Sequence, residues 1–377
     1  MGLANFQLAT RLTFGAGAAA EAGPIFKGLG LRRVLVITDA GVVKAGIAGR
    51  VVDSLSAAGL EHAVFDAVEP NPSIATVEKA LALFRNASCD GLVAVGGGSP
   101  MDVAKAVGVL ATNPGGVLDY VGIGKVLRPT PPLVAVPTTV GTGSEVTNFV
   151  VITDTAQRKK LVIGSPLAAP GYALLDPELV LGLPNGLVAG TAMDAMTHAV
   201  ESVISTMASL FADAVALAAI RMIAENLEAA LASRDVAPRA SLLYASTLAG
   251  SAFSYARTGL VHGMAHPLSA FCDVPHGMAN AILLPYVMAF NAPACDEALG
   301  RVAEALNAQR TPEAAVCAIE RLSEAAGIPR HLREVGVTEE FIPLMAQDAF
   351  ASGNAQVVNP RKPSLDEVLA LYRQALG

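Results

Sequence analysis

Unbroken runs of four apolar residues recur through the first half of the chain, at positions 34–37, 92–95 and 133–136. Each gives way to Thr-Asp, to glycines or to Pro-Thr-Thr. A strand covered on both faces in a parallel sheet has this pattern. Shorter stretches at 11–15, 63–65 and 173–175 read as further strands. Between them lie helical stretches: an Ala-rich one to about residue 26, one after Thr38-Asp39 through residue 54, one at 74–85 and one at 101–110. The turn Pro70-Asn71-Pro72-Ser73 caps the third of these. This β-α-β rhythm predicts an α/β domain with a doubly wound parallel sheet over residues 1–185, binding its ligands beyond the carboxyl ends of the strands. Residues 150–153 and 161–163 read as a hairpin. Beyond Leu183-Pro184-Asn185-Gly186 the alternation stops, so residues 186–377 are expected to form an all-helical domain.

Composition narrows the class. With 53% hydrophobic and 16% charged residues, most of the 377-residue chain is meant to be buried. The net charge of −7 argues against nucleic acid or an anionic membrane surface as partner, and the densest basic run, Arg158-Lys159-Lys160, is short. Cys89, Cys272, Cys295 and Cys317 show no CxxC spacing, which fits a reduced, cytoplasmic compartment. The first six residues carry neither a signal-peptide pattern nor the myristoylation pattern. The longest apolar stretch, 207–232, carries Asp213, Arg221 and Glu225 at helical intervals and reads as a buried or interface helix, not a membrane span.

Chemistry-bearing residues fall where the predicted strands end. Gly96-Gly97-Gly98-Ser99-Pro100 follows the third long run and opens a helix. Its glycines let backbone N–H groups approach an anion at a helix N-terminus, and Ser99 can cap, but the turn is not the dinucleotide fingerprint GxGxxG. Pro137-Thr138-Thr139-Val140-Gly141-Thr142-Gly143-Ser144-Glu145 interleaves hydroxyls with glycines, suited to ribose and phosphate oxygens or, equally, to a flexible loop with a helix cap at Ser144. Asp39 can accept both hydroxyls of an adenosine ribose, which would favour NAD over NADP, or cap the helix after it.

Four of the six histidines lie in one apolar window: His198, His262, His266 and His276. Asp194 and His198, and likewise His262 and His266, are spaced i, i+4, so each pair shares one helix face. Pro267 should kink or end its helix, and Pro275 and Gly277 place His276 at a helix start. A carboxylate with several imidazoles suits Zn or Fe. The same pattern also describes a solvated stripe of Thr191, Asp194, Thr197, His198 and Glu201 with two buried structural histidines. Spacing does not say which donors bind. One carboxylate and four imidazoles exceed what a four-coordinate ion needs, and one left over would be free for proton transfer.

Taken together, Gly96-Gly97-Gly98-Ser99-Pro100-Met101-Asp102, Pro137-Thr138-Thr139, Gly141-Thr142-Gly143-Ser144-Glu145, Asp194-Ala195-Met196-Thr197-His198-Ala199, the 260–268 segment around His262 and His266, and Pro275-His276-Gly277 are specific. On these motifs the chain resembles the iron-dependent (group III) alcohol dehydrogenase family, in its lactaldehyde-reductase-like branch, over nearly its whole length. The resemblance implies a Rossmann-like domain followed by a helical metal-binding domain, the architecture shared with dehydroquinate synthase. It implies that Asp194, His198, His262 and His276 bind Fe(II), or Zn as in some relatives, and that His266 assists proton transfer near the nicotinamide. Gly97, Gly98 and Ser99 would hold the pyrophosphate of NAD(H) and Asp39 its adenosine ribose. Thr138, Thr139, Thr142 and Ser144 would line the cofactor cleft, and Lys160 would reach the nicotinamide ribose. Asn148, Phe149 and Phe253 are pocket residues on the same ground, and homodimers or larger homo-oligomers are usual.

The chemistry agrees. A primary alcohol is too weak an acid to lose its proton at neutral pH, and a divalent cation supplies the acidity, as it brings bound water to a pKa of about 7. The expected function is interconversion of a small primary alcohol and its aldehyde with NAD(H). Arg257, five residues before His262, departs from many relatives; it suits an anionic aldehyde or, equally, a surface salt bridge. Two alternatives share the architecture: a nicotinoprotein whose NAD never leaves, and a lyase resembling dehydroquinate synthase, which needs a different metal triad with Glu.

Overall fold

The computed structural model describes residues 6–157, 159–351 and 356–377. Residues 1–5, on which the expectations for the N-terminus rest, and Arg158 of the basic run lie outside them. The chain forms two compact units, Gln7–Thr139 with Gly143–Gly182, and Leu183–Gly377 with Val140–Thr142 and Phe6.

The first unit is built on six parallel strands: β1 (Arg11–Phe14), β2 (Arg33–Ile37), β3 (Glu61–Phe65), β4 (Gly91–Gly96), and two later ones, Leu133–Pro137 and Tyr172–Leu175. In space the order is β1, Tyr172–Leu175, Leu133–Pro137, β4, β2, β3, every pair parallel. The apolar runs sit at its centre because each strand there feeds two cores. Leu35, Ile37, Leu92, Ala94, Leu133 and Ala135 pack on one face against the helices Ile74–Asn86 and Gly98–Thr112. Val34, Val36, Val93, Val95, Val134 and Val136 pack on the other against Ala22–Gly28 and Ile47–Ala57. Period-two alternation therefore sends apolar side chains both ways. The expected hairpin is present as Phe149–Asp154 paired antiparallel with Lys159–Gly164, joined by a two-residue third strand, Gly122–Ile123, that no apolar run announced.

Two local differences have clear causes. The helix after Asp39 is not continuous to residue 54: it ends at Lys44 and restarts at Ile47, because Gly46 adopts a left-handed conformation, φ 73°. Ser99 does not cap the helix after β4, since that helix already begins at Gly98 with Gly97 before it.

The second unit is helical, with no strand among the described residues. Its helices include Asn185–Ile204, Leu210–Ala232, Val236–Ala256, Leu260–Phe271, His276–Asn291 and the last, Leu365–Leu376. Pro267 does not end its helix, which continues to Phe271, and the buried hydroxyl of Tyr372 in the last helix donates to the Met264 carbonyl at 2.6 Å. The 207–232 stretch forms Leu210–Ala232, burying Ala216, Ile220, Ile223 and Leu227. Among the described residues no helix is long and apolar enough to cross a membrane.

Candidate metal centre and nucleotide loops

Three helices of the second unit bring the polar residues together. Asp194, His198 and Glu201 come from Asn185–Ile204, His262 and His266 from Leu260–Phe271, and His276 and Asn280 from the first turns of His276–Asn291. Close backbone approach is what allows this. A Cβ on Gly277 would lie 2.3 Å from the Gly190 carbonyl oxygen, so only glycine lets the start of the third helix rest against the first.

At the centre, one donor atom each from Asp194, His262 and His276 lie within 4.8 Å of one another. The Asp194 Oδ1 atom is 3.8 Å from His262 Nε2 and 3.9 Å from His276 Nε2. A tetrahedral ion about 2.1 Å from each donor would separate them by roughly 3.4 Å, so each imidazole stands about half an ångström farther from Asp194 than such an ion would hold it. His198 is not in this three-atom group. Its ring lies face to face between His262, at a centroid distance of 4.6 Å, and Phe253, at 4.2 Å. The buried Nδ1 of His198 meets no partner with hydrogen-bond geometry, although the Gly141 backbone favours its protonated form. His266 stacks on His276 at 5.4 Å and is half-buried, outside the donor group but beside it.

Electrostatics set the ligand protonation states that a metal needs. Burial, together with the neighbouring His198 and His276, holds the His262 pKa well below the ordinary imidazole value; burial also lowers that of His198. Burial opposes ionisation of Asp194, yet the fields of His198, His276 and His262 and the Asn280 amide carry its pKa below the usual carboxylate value. The site thus favours ionised Asp194, while burial disfavours the charged forms of His198 and His262.

Glu201 entered the sequence analysis only in the alternative reading of a solvated stripe, and the structure buries it. It is 2% exposed; its Oε2 lies 2.6 Å from His262 Nδ1, and its Oε1 accepts from the Val261 amide at 2.7 Å. Burial pushes its pKa up to about 7, against the backbone amides of Gly259 and Val261 that favour the carboxylate. As a carboxylate it accepts from Nδ1–H and fixes the tautomer that leaves the Nε2 lone pair free, the arrangement of a carboxylate–histidine–metal triad. The adjoining Leu260 amide donates to Asn359 Oδ1 at 3.2 Å, so the start of the His262 helix is held twice. Glu201→Gln offers one acceptor to two donors and leaves one of them unpaired. Metal affinity is expected to fall by about 10–100-fold, measured by chelator competition; an unchanged affinity would make Glu201 a packing residue only.

In the first unit, Asp39 Oδ1 accepts from the Val42 amide at 2.9 Å and so caps the helix Ala40–Lys44. Gly97 and Gly98 stand at the N-terminus of the helix Gly98–Thr112, where a Cβ on Gly97 would sit 3.0 Å from the Thr139 methyl. The Thr138 amide donates to the Gly96 carbonyl at 3.0 Å, and Thr142 is half-buried. Ser144 bridges a network that spacing did not reveal: its Oγ accepts from Lys105 Nζ at 2.8 Å and donates to Asp102 Oδ1 at 3.2 Å. Lys105 is fully buried and also donates to Thr147 Oγ1 and to the Phe149 carbonyl, both at 3.0 Å. Lys160 Nζ donates to Asn71 Oδ1 at 2.7 Å and to Thr153 Oγ1 at 3.1 Å, and burial pulls its pKa down to about 8. Asn71 sits in the turn that caps the next helix, and nothing in its sequence context marked it as a lysine partner. The buried Oδ1 of Asn148 has no hydrogen-bond partner. The four pocket candidates divide between the units: Asn148 and Phe149 in the first, Phe253 and Arg257 in the second. Arg257 ends its helix at φ 62°, ψ 171°, a region that side chains avoid.

The pattern matches known proteins throughout. Residues 9–177 match the model of iron-containing alcohol dehydrogenase, and residues 188–376 that of the Fe-containing alcohol dehydrogenase family, C-terminal. The chain is 45% identical over 372 residues to 1,3-propanediol dehydrogenase of Klebsiella pneumoniae, covering 96% of each chain. It is 40% identical over 375 residues to lactaldehyde reductase of Escherichia coli K12, covering 96% of this chain and 97% of that one. The crystal structure of a 1,3-propanediol oxidoreductase superposes with a TM-score of 0.97 at 43% identity, covering 99% of this chain and 100% of the other. With both halves matched, and with a parallel α/β unit and a helical unit that gathers a carboxylate and imidazoles, this chain belongs to the iron-containing alcohol dehydrogenase family.

Proposed function

We propose that this protein interconverts a small primary alcohol and its aldehyde by hydride transfer with NAD(H), its helical unit holding Fe(II), or Zn in its place, through Asp194, His262, His276 and His198. The observation that carries this reading is the convergence of one carboxylate and two imidazoles within 4.8 Å in a member of this family. A divalent cation held there would acidify an alcohol and polarise a carbonyl. Glu201 holds the His262 ring in the ligating tautomer. Phe253 walls the site with an apolar face beside His198. His266, half-buried next to His276, carries the proton to and from the reacting oxygen.

The α/β unit takes the cofactor in this reading, with a division of labour at about residue 185. The N–H groups of Gly97, Gly98 and Ser99 at their helix N-terminus bind the pyrophosphate. Asp39 takes the adenosine ribose, the hydroxyls of Thr138, Thr139, Thr142 and Ser144 line the cofactor, and Lys160, steadied by Asn71 and Thr153, meets the nicotinamide ribose. Within the helical unit Phe253 and Arg257 are the proposed substrate contacts, and within the α/β unit Asn148 and Phe149 are. The protein assembles as a homodimer or larger homo-oligomer in this reading, and the four free cysteines suit the cytoplasm.

The test is to add NAD and a panel of short primary alcohols and diols to Fe(II)- and Zn-loaded protein and follow NADH absorbance. Net NADH accumulation is expected, and it excludes a lyase. Absence of NADH with every alcohol, and of NADH consumption with every aldehyde, would overturn the reading. Including anionic aldehydes with wild type and Arg257→Ala resolves whether Arg257 selects a charged substrate.

Asp39→Gly separates ribose recognition from helix capping. Glycine at an N-cap costs only a few tenths of a kcal/mol relative to aspartate, against about 1 for alanine, so the fold should hold while the charge that repels a 2′-phosphate is lost. The NADP-to-NAD ratio of kcat/KM is expected to rise by about an order of magnitude, the weight of one removed charge contact of roughly 1.4 kcal/mol. An unaltered ratio would leave Asp39 as a cap alone.

A further inference from the structure

Asn280 lies one helical turn after His276 and is fully buried. Its side-chain nitrogen is 2.6 Å from Asp194 Oδ1, 3.2 Å from His262 Nε2 and 3.2 Å from His276 Nε2. These three residues make up the candidate metal site. The orientation of the amide is chemically determined: turned the other way, its oxygen would face a carboxylate. Two N–H groups thus serve three acceptors, while the amide oxygen is buried with no partner. A divalent cation needs the same three lone pairs. The amide and the ion therefore exclude one another at this spot.

We infer that Asn280 is an exchangeable partner of the metal donors, which occupies the lone pairs of Asp194, His262 and His276 in the metal-free protein and competes with the cation for them. It is a positioning residue that sets how tightly the ion is held, and the inference rests on the metal reading given above. A side chain that only packed beside the ligands would strengthen metal binding, because its loss would let the donors drift. A competing side chain does the opposite.

Asn280→Ala is therefore expected to bind Zn²⁺ more tightly than wild type, on the order of tenfold, the weight of one hydrogen bond to a charged group, in competition with a chromophoric chelator. The same variant, stripped of metal, should melt at a lower temperature than stripped wild type and gain more on adding Zn²⁺. Equal or weaker Zn²⁺ binding by folded Asn280→Ala overturns the inference. Where that variant does not fold, wild type labelled with ¹⁵N-asparagine gives the answer. The Asn280 side-chain NH₂ signal should move, and exchange faster with water, as Zn²⁺ is titrated. A signal that stays fixed while the ion binds overturns the inference and leaves the metal site standing. Wild type that takes up no ion overturns the metal reading itself, which is a separate result.

Discussion

His262→Ala is expected to lose both the metal and the activity while keeping the fold. The substitution removes one of three convergent donors, and the other two, Asp194 Oδ1 and His276 Nε2, stand 3.9 Å apart on different helices. It also strips Glu201 of its ring partner. A buried charge without a partner is costly, but Glu201 already has its pKa raised to about 7 by burial and can take up a proton instead of remaining charged. The fold therefore has a route to tolerate the change. Lewis-acid stabilisation is worth several kcal/mol, so kcat should drop by roughly a thousandfold or more. Elemental analysis of the purified variant, beside a melting curve, checks both parts. Full metal occupancy in folded His262→Ala would strike this residue from the ligand set.

His266→Ala should behave differently: metal retained, turnover slowed by about 10²–10⁴-fold, the usual weight of a general acid or base. The reason is geometric. His266 shares a helix face with His262, yet its ring is 6.4 Å from that of His262 and stacks on His276 at 5.4 Å, outside the donor group. Being half-buried, it can exchange protons with water, whereas Asp194, His198 and His262 are buried. The informative measurement is kcat against pH with metal content held equal. An imidazole-range limb present in wild type and absent in the variant supports proton transfer. Identical profiles would remove His266 from the mechanism, and lost metal would make it a ligand.

The central strands were legible because burial on both faces leaves no polar positions, a pattern few other elements produce. The break at Gly46 was not, since a glycine within an apolar helix pattern looks the same whether it continues or turns left-handed. The polar stripe of Asn185–Ile204 shows the same limit more sharply. Asp194, Thr197, His198 and Glu201 recur at helical period, and that period is identical for a face turned to water and a face turned into a polar site. All four are buried. Only the neighbouring helices reveal that Glu201 serves His262 and that Asp194 serves the donor group.

Local sequence determined by itself what depends on near neighbours: alternating strands and helices, the glycine turn at a helix N-terminus, and which side chains could act as donors. Tertiary structure alone decided which donors converge, which tautomer His262 adopts, and that Asn280 stands among them. Those outcomes depend on three helices, separated by up to 86 positions in the chain, meeting at contact distance. Hydrogen bonds fade within a few ångströms, so no spacing along one segment can encode them.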